Sequence, residues 1–401
     1  MLLSCCRSGD DAPTPPQPTW TNFDGSLQYH VPVWRPSHTE QLPAERPLLI
    51  VGAGHSWQPE QKNIRAIVSS EKLKAPPLLL EDGKLVQVGA GVTLGELLTF
   101  LEAHQLSLAT FPYHSAITVG GAVATAAHGT SFQQGTISDS VVALDMEPDF
   151  GIPLELLSAS VGKLGLIKRV VLQTTPLERL SKQLTIVDFD IFIASMPELK
   201  ASTSRLEAWY DPETHQVLIV SYHKNDQRAA SIEPSSAPSV KLQEIAQLVS
   251  LPESGTPAEL FFADNDDSRL EAEYAIAHSK LELVLAGLRH WLEKERIALR
   301  RPIIVRFGGI DRLPLLSPAR HEEGTAFINI DLTTGQHKEA AAIEGFLIES
   351  YAAKPHLGKF HSGDQRLLEA AYGESYQQFH EQQPAELQQL FGPIHSNTGT
   401  P

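Results

Sequence analysis

Leu48-Leu49-Ile50-Val51-Gly52-Ala53-Gly54-His55-Ser56-Trp57 is an apolar run that breaks into a glycine-bracketed turn and then presents a histidine. Gly52 and Gly54 let the backbone take φ > 0 and approach a ligand closely. Successive N–H groups turned one way form a nest for an anion such as a pyrophosphate. Ile50, Val51, Gly52, Ala53, Gly54, His55 and Ser56 are therefore candidate binding residues. A strand-to-loop turn with two glycines also arises by chance in α/β proteins, so the segment needs support from elsewhere in the chain.

That support begins at Ile117-Thr118-Val119-Gly120-Gly121-Ala122-Val123-Ala124-Thr125-Ala126-Ala127-His128-Gly129-Thr130, which is almost entirely small residues. Such composition suits either close backbone approach to a ligand or the packing face of a helix. The order of elements favours the ligand. Leu78 to Val88 reads as two strands joined at Asp82-Gly83, a strong hairpin signal. Thr93 and Glu96 make a capping box for a helix over 94–104, whose Leu97, Leu98 and Leu101 share a face. Strands are expected over 138–146 and 164–174.

From Pro176 to about Glu344 the pattern changes to long alternating segments, 183–193 and 216–223, with a long amphipathic helix over 277–298. Residues 225–240 read as a surface loop, and 343–353 as helical. No internal repeat is evident.

With 401 residues and 42% apolar content the chain can bury a large core, and its length favours two domains. The net charge of −16 argues against nucleic acid, whose phosphates require clustered Lys and Arg, and suits a neutral or cationic small substrate. Both cysteines, Cys5 and Cys6, lie at the N-terminus, which excludes a disulfide framework or a Cys-based metal site in the folded body. Leu2-Leu3-Ser4-Cys5 with the polar, proline-rich stretch that follows resembles the end of a bacterial lipoprotein signal with most of the signal missing. Residues 1–19 are thus a disordered tether. The protein would be membrane-anchored and periplasmic if Cys5 carries lipid, from a start codon placed too late, and cytoplasmic otherwise.

Together the two glycine segments resemble the FAD-binding domain of the vanillyl-alcohol oxidase superfamily, and more narrowly its sugar-lactone and alditol oxidase branch. Four further segments appear in that branch's order. These are Trp20-Thr21-Asn22-Phe23-Asp24-Gly25, then Glu273-Tyr274-Ala275-Ile276 with Ala277 where proline is usual, then Arg306 within 303–307 ahead of Leu316-Ser317-Pro318, and Lys354-Pro355-His356-Leu357-Gly358-Lys359. The resemblance implies an α+β, two-domain PCMH-type fold. An FAD-binding domain would span 20–175, an antiparallel-sheet substrate cap 176–344, and a segment over 345–401 would return to the flavin.

It also implies roles. His55 matches the histidine that bonds the flavin 8α-methyl carbon, a reaction open to a neutral imidazole; the plainer reading is a hydrogen bond within the loop. Thr118, Gly120, Gly121, Thr125, Ala126, Ala127 and His128 would surround the pyrophosphate and ribityl chain, with Ile167 by the adenosine half and His356 back at the flavin. His128 is read as structural, holding the loop and cofactor. Gly120 falls where a small residue controls oxygen access, which tilts the reading toward an oxidase. Arg306 and Lys359 match substrate-facing cations, and Asn329 a substrate contact; without that context both cations would read as surface charges. No metal is implied.

Two departures bear on substrate. Ile304 replaces a glutamate that helps bind polyol hydroxyls, so ordinary alditols become doubtful substrates. The connection over 145–160 is short, trimming the adenosine side. The expectation is an FAD-dependent enzyme that oxidises a CH–OH group of an alditol or aldonolactone by hydride transfer to flavin N5, with O2 accepting electrons and giving H2O2. The alternatives are a dehydrogenase using a quinone or cytochrome, and a flavin-binding protein that has lost catalysis.

Overall fold

The computed structural model describes residues 19–37, 42–57, 59–224, 230–262 and 269–392. Residues 1–18 of the tether, with Cys5 and the lipid-anchor expectation, lie outside them, whereas Thr19 is extended and pairs with His30. Val33–Trp34 (β1), Leu48–Val51 (β2) and Ala66–Ser69 (β3) form a parallel sheet in the order β1-β3-β2. β2 stops at Gly52, where the turn begins, as the sequence reads.

Leu78–Leu80 (β4) and Leu85–Gly89 (β5) make the expected hairpin, turned by Asp82 at φ 55° and Gly83 at φ 86°. Leu94–Ala103 (α1) carries the reciprocal Thr93/Glu96 cap and buries Leu94, Leu97, Leu98 and Leu101. Val119–Ala124 (α2) shows that the two readings of the small-residue segment coexist. It is a short helix capped by Thr118, with Val119, Ala122 and Val123 buried. Val141–Glu147 (β6) starts later than expected, because Ile137–Ser140 forms a 3₁₀ turn first. With Leu166–Gln173 (β7), these strands form an antiparallel sheet in the order β4-β5-β7-β6.

The second half is one eight-stranded antiparallel sheet backed by helices. Its elements are Leu180–Asp188 (β8), Phe189–Ser202 (α3), Arg205–Asp211 (β9), Gln216–Lys224 (β10), Ser254–Gly255 (β11), Leu270–Ala277 (β12), Leu281–Glu295 (α4), Ile303–Gly308 (β13), Thr325–Leu332 (β14), His337–Tyr351 (α5) and Lys354–Pro355 (β15). The strand order is β11-β8-β10-β9-β13-β14-β12-β15.

Three sequence boundaries are corrected. The segment read as extended over 183–193 is strand only to Asp188; Phe189 and Phe192 then fall on one buried helix face. The helix expected over 277–298 is shorter, because β12 pairs through Ala277↔Thr325 and Arg296 ends α4 in the left-handed region. The helix expected from 343 begins at His337, so α5 runs through the boundary placed at 344.

Strand alternation divides the sheet into two faces. One carries Leu206, Ala208, Tyr210, Ile303, Val305, Ile328, Ile330, Ala272 and Tyr274, which form a core under α3, α4 and α5. The register pairs Glu207↔Arg306, Trp209↔Ile304, Ile304↔Asn329, Asn329↔Glu273 and Asp331↔Glu271 define the opposite face. Trp209 and Ile304 of that face share an apolar cluster with the first half.

The chain's last described helices, Gln365–Tyr372 (α6), Glu374–Gln382 (α7) and Ala385–Phe391 (α8), also pack into that cluster. Buried Lys163 donates to Phe391 O at 2.9 Å and Gln383 Nε2 donates to Lys163 O at 3.1 Å, tying the C-terminal segment to the first half. Among the described residues no helix is long and apolar enough to cross a membrane.

Candidate active site

A cleft of about 1320 Å³, measured to its open mouth, runs between the two halves. Its walls come from the first turn, the small-residue segment, the cap and the C-terminal motif in succession, an extended lining that suits a long ligand. Ile50, Val51, Gly52, Ala53, Gly54, His55 and Ser56 line it from the first turn, and Thr118, Gly120, Gly121, Thr125, Ala127 and His128 from the second segment. Ile167, Arg306, His356 and Lys359 complete the wall.

The two glycine segments touch. A Cβ added to Gly52 would lie 2.2 Å from Thr118 Oγ1 and 3.5 Å from Gly121 Cα. Gly358 of the C-terminal motif is equally confined, 2.8 Å from Thr125 Cβ. Its carbonyl accepts from Ser56 Oγ at 2.8 Å and from Trp57 N at 3.2 Å, so three distant segments meet here. The opening motif folds over the first turn: Phe23 N donates to Gly54 O at 3.0 Å and Asn22 Nδ2 to Ser56 O at 3.3 Å. The His55 ring is held between Phe23, stacked at 5.1 Å, and His114 at 4.7 Å. Backbone cradles of this kind, without a basic patch, are what a dinucleotide phosphate needs.

Two expected residues stand elsewhere. Ala126, at φ 54°, does not line the cleft; its carbonyl accepts from His356 Nε2 at 3.2 Å. Asn329 lies buried behind the wall, where two carboxylates claim its amide: Nδ2 donates to Glu271 Oε1 at 2.6 Å and to Glu273 Oε2 at 3.2 Å. Gly120 lines the cleft by its backbone. A Cβ there would press on Ala90 Cβ at 2.7 Å, so packing against Ala90 accounts for glycine and position 120 carries no reading of oxygen access. Ile304 does not line the cleft and is 8% exposed, within the apolar cluster.

The cap face above the cleft is a net of paired charges. Arg306 Nε donates to Glu207 Oε2 at 2.8 Å, with the guanidinium 4.3 Å from the Tyr113 ring centre. Lys359 Nζ donates to Glu271 Oε1 at 2.5 Å, and Arg269 pairs with Glu271 at 3.1 Å. Burial would raise the Glu271 carboxyl, but Lys359 and Arg269 hold it down at about 2. Burial and the Glu271 charge lift Asp331 to about 6. Burial likewise opposes ionisation of Glu273, yet His128, at 2.8 Å, holds it well below the carboxylate range.

His128 Nδ1 meets Gly129 O at 2.9 Å, so both its ring nitrogens face oxygen atoms. Burial pushes His356 down to about 4. It is a neutral ring whose Nδ1 accepts from Gly358 N at 3.1 Å while Nε2–H donates to Ala126 O. His128, Glu273 and His356 lie within 4.8 Å of one another, a spacing open to a metal ion. With both His356 nitrogens engaged, the trio acts as a hydrogen-bonded tie between halves.

Sequence reading missed Glu207, Glu271 and Tyr113 as site residues, and quoted Glu273 only as part of a motif. The signal was an acid at every second position of otherwise apolar strands, as in Leu270-Glu271-Ala272-Glu273. A further wall, Ser160-Val161-Gly162, was missed too; Val161 and Gly162 have φ 47° and 75°, which only Gly162 announces.

A cleft between a glycine-cradled first half and an antiparallel cap is the plan of FAD-dependent oxidoreductases. Residues 42–147 match the FAD binding domain family, and residues 229–384 match the D-arabinono-1,4-lactone oxidase family. L-gulonolactone oxidase from Mus musculus is 24% identical over 382 residues, covering 80% of this chain and 82% of that protein. L-gulono-1,4-lactone dehydrogenase from Mycobacterium tuberculosis is 24% identical over 390 residues, covering 86% and 90%. Cholesterol oxidase from B. sterolicum superposes with a TM-score of 0.73 at 15% identity, covering 99% of both chains. The chain thus joins an FAD binding domain to a D-arabinono-1,4-lactone oxidase domain, and its relatives are FAD-dependent oxidoreductases acting on sugar lactones.

Proposed function

We propose that this protein oxidises a secondary alcohol of a neutral, compact sugar lactone, with FAD bonded covalently to His55 and O2 as electron acceptor. The observation that carries the reading is one cleft lined by both glycine cradles together with Arg306 and Lys359. Flavin, when bound, supplies the hydride acceptor and afterwards passes two electrons to oxygen, giving H2O2.

Arg306 supplies donors for the reacting hydroxyl, and its charge favours that oxygen as its proton leaves. Lys359, part-exposed at the cleft, holds a second substrate oxygen. Each cation is already matched by a carboxylate, Arg306 by Glu207 and Lys359 by Glu271, so a charged substrate finds no free counter-ion. Phe23 and His114 fix the His55 ring, as attack on a flavin methyl requires.

Mixing purified protein anaerobically with aldono-1,4-lactones and with alditols tests this. Lactones are expected to bleach the flavin faster, and air to restore the colour. Absence of bleaching by either class contradicts the reading. Similarity to the L-gulono-1,4-lactone dehydrogenase of Mycobacterium tuberculosis supports a dehydrogenase as the second reading, marked by slow reoxidation in air. Acid precipitation is expected to leave yellow colour in the wild-type pellet and none in His55→Ala.

A further inference from the structure

We propose that Glu207 is the positioning residue that aims Arg306 at the substrate. The proposal rests on the functional reading above and assigns a role to a side chain that does not line the cleft. Glu207 and Arg306 are direct register partners on neighbouring strands, both on the face above the cleft. Glu207 is 4% exposed, so its charge cannot be served by water.

Its two oxygens are divided. Oε2 accepts from Arg306 Nε at 2.8 Å, and Oε1 accepts from Trp209 Nε1 at 2.8 Å. The indole fixes the carboxylate, and the carboxylate fixes the inner nitrogen of the guanidinium. Tyr113 covers the flat side of that guanidinium at 4.3 Å. Arg306 is thereby clamped at one edge and one face. Among the described residues its Nη1 and Nη2 make no hydrogen bond, and Arg306 lines the cleft. The planar fork is thus presented outward, fit to grip two neighbouring substrate oxygens.

The next position on the same strand and face is Ile304, which has no acceptor; only the neighbouring strand supplies one. Without Glu207 the guanidinium would lose its fixed edge and leave a buried cation uncompensated. The expected consequence is misdirection of Arg306, seen in catalysis before it is seen in flavin content.

The test compares the FAD-loaded wild type with Glu207→Gln, Arg306→Ala and the double variant. Glu207→Gln is expected to keep its flavin and lose kcat/KM for a lactone by on the order of 10-fold or more, as for loss of a charge-assisted contact. In the Arg306→Ala background the same change is expected to cost nothing further. Guanidinium added in solution is expected to restore part of the turnover of Arg306→Ala, and not of the double variant.

Equal rescue in both, or an equal loss from Glu207→Gln with and without Arg306, overturns the proposal. Should Glu207→Gln yield no soluble holoenzyme, Trp209→Phe carries the test. It leaves the charge pair but frees Oε1; a raised KM at unchanged flavin content supports the role, and an unchanged KM contradicts it. Wild-type flavin that no lactone or polyol bleaches brings down the functional reading, and this role with it. Bleached wild type matched by Glu207→Gln brings down this role alone.

Discussion

Gly52 has no room for a methyl group, and the obstacle is a single atom, Thr118 Oγ1, which also accepts from Gly121 N at 3.3 Å. Gly52→Ala must therefore rotate Thr118 and break that cap or push the cradles apart, at about 1–3 kcal/mol. The expected outcome is weak flavin retention, partly restored by adding Thr118→Ala, since the next atoms, Gly121 Cα and Thr118 Cβ, lie at 3.5 and 3.6 Å. Flavin absorbance after desalting checks both. Away from the cleft, burial raises the carboxyl of Glu344 to about 7. Between its ordinary range and that value the folded protein holds a proton that the unfolded chain releases, so stability falls as pH rises through the window. Melting curves should find Glu344→Gln gaining on the wild type by about 2–3 kcal/mol between about pH 5 and about pH 8, with no gain below that. A difference that does not vary with pH contradicts the assignment.

At the scale of elements, much was legible where local chemistry decides. The Asp82-Gly83 hairpin and the Thr93/Glu96 cap are short-range signals, and both stand as read. The strand read as running on to Ile193 failed because alternation over a few residues cannot tell where Phe189 and Phe192 change partners from a sheet to a helix face. The glycine cradles were legible because close approach demands glycine. Glu207 and Glu271 were not, because the need for them arises only when Arg306 and Lys359 arrive from strands and turns far along the chain. Asn329 was given a substrate contact by resemblance, but its register neighbours Glu273 and Ile304 place it inside the carboxylate net. Asn329→Leu should accordingly lower stability by about 2–5 kcal/mol, the cost of leaving buried Glu273 Oε2 without its donor, seen as a lower melting temperature with flavin still bound. Lost flavin with an unchanged melting temperature would place Asn329 at the ligand after all.

At the scale of the whole molecule, the site exists only when the halves are together. Trp57 and Ser56 bind Gly358, His128 pairs with Glu273, and Thr136 N donates to Asp311 Oδ1 at 2.7 Å, so ties cross between the FAD-binding half, the cap and the C-terminal motif. A ligand spanning those ties stabilises all of them at once, and FAD loading should raise a single melting transition. The most direct test of the central claim, that two glycine cradles grip one FAD beneath the cap, is the flavin-to-protein ratio of the full chain after incubation with FAD and desalting. Equimolar, yellow protein is the predicted result; colourless protein that takes up no FAD would contradict it.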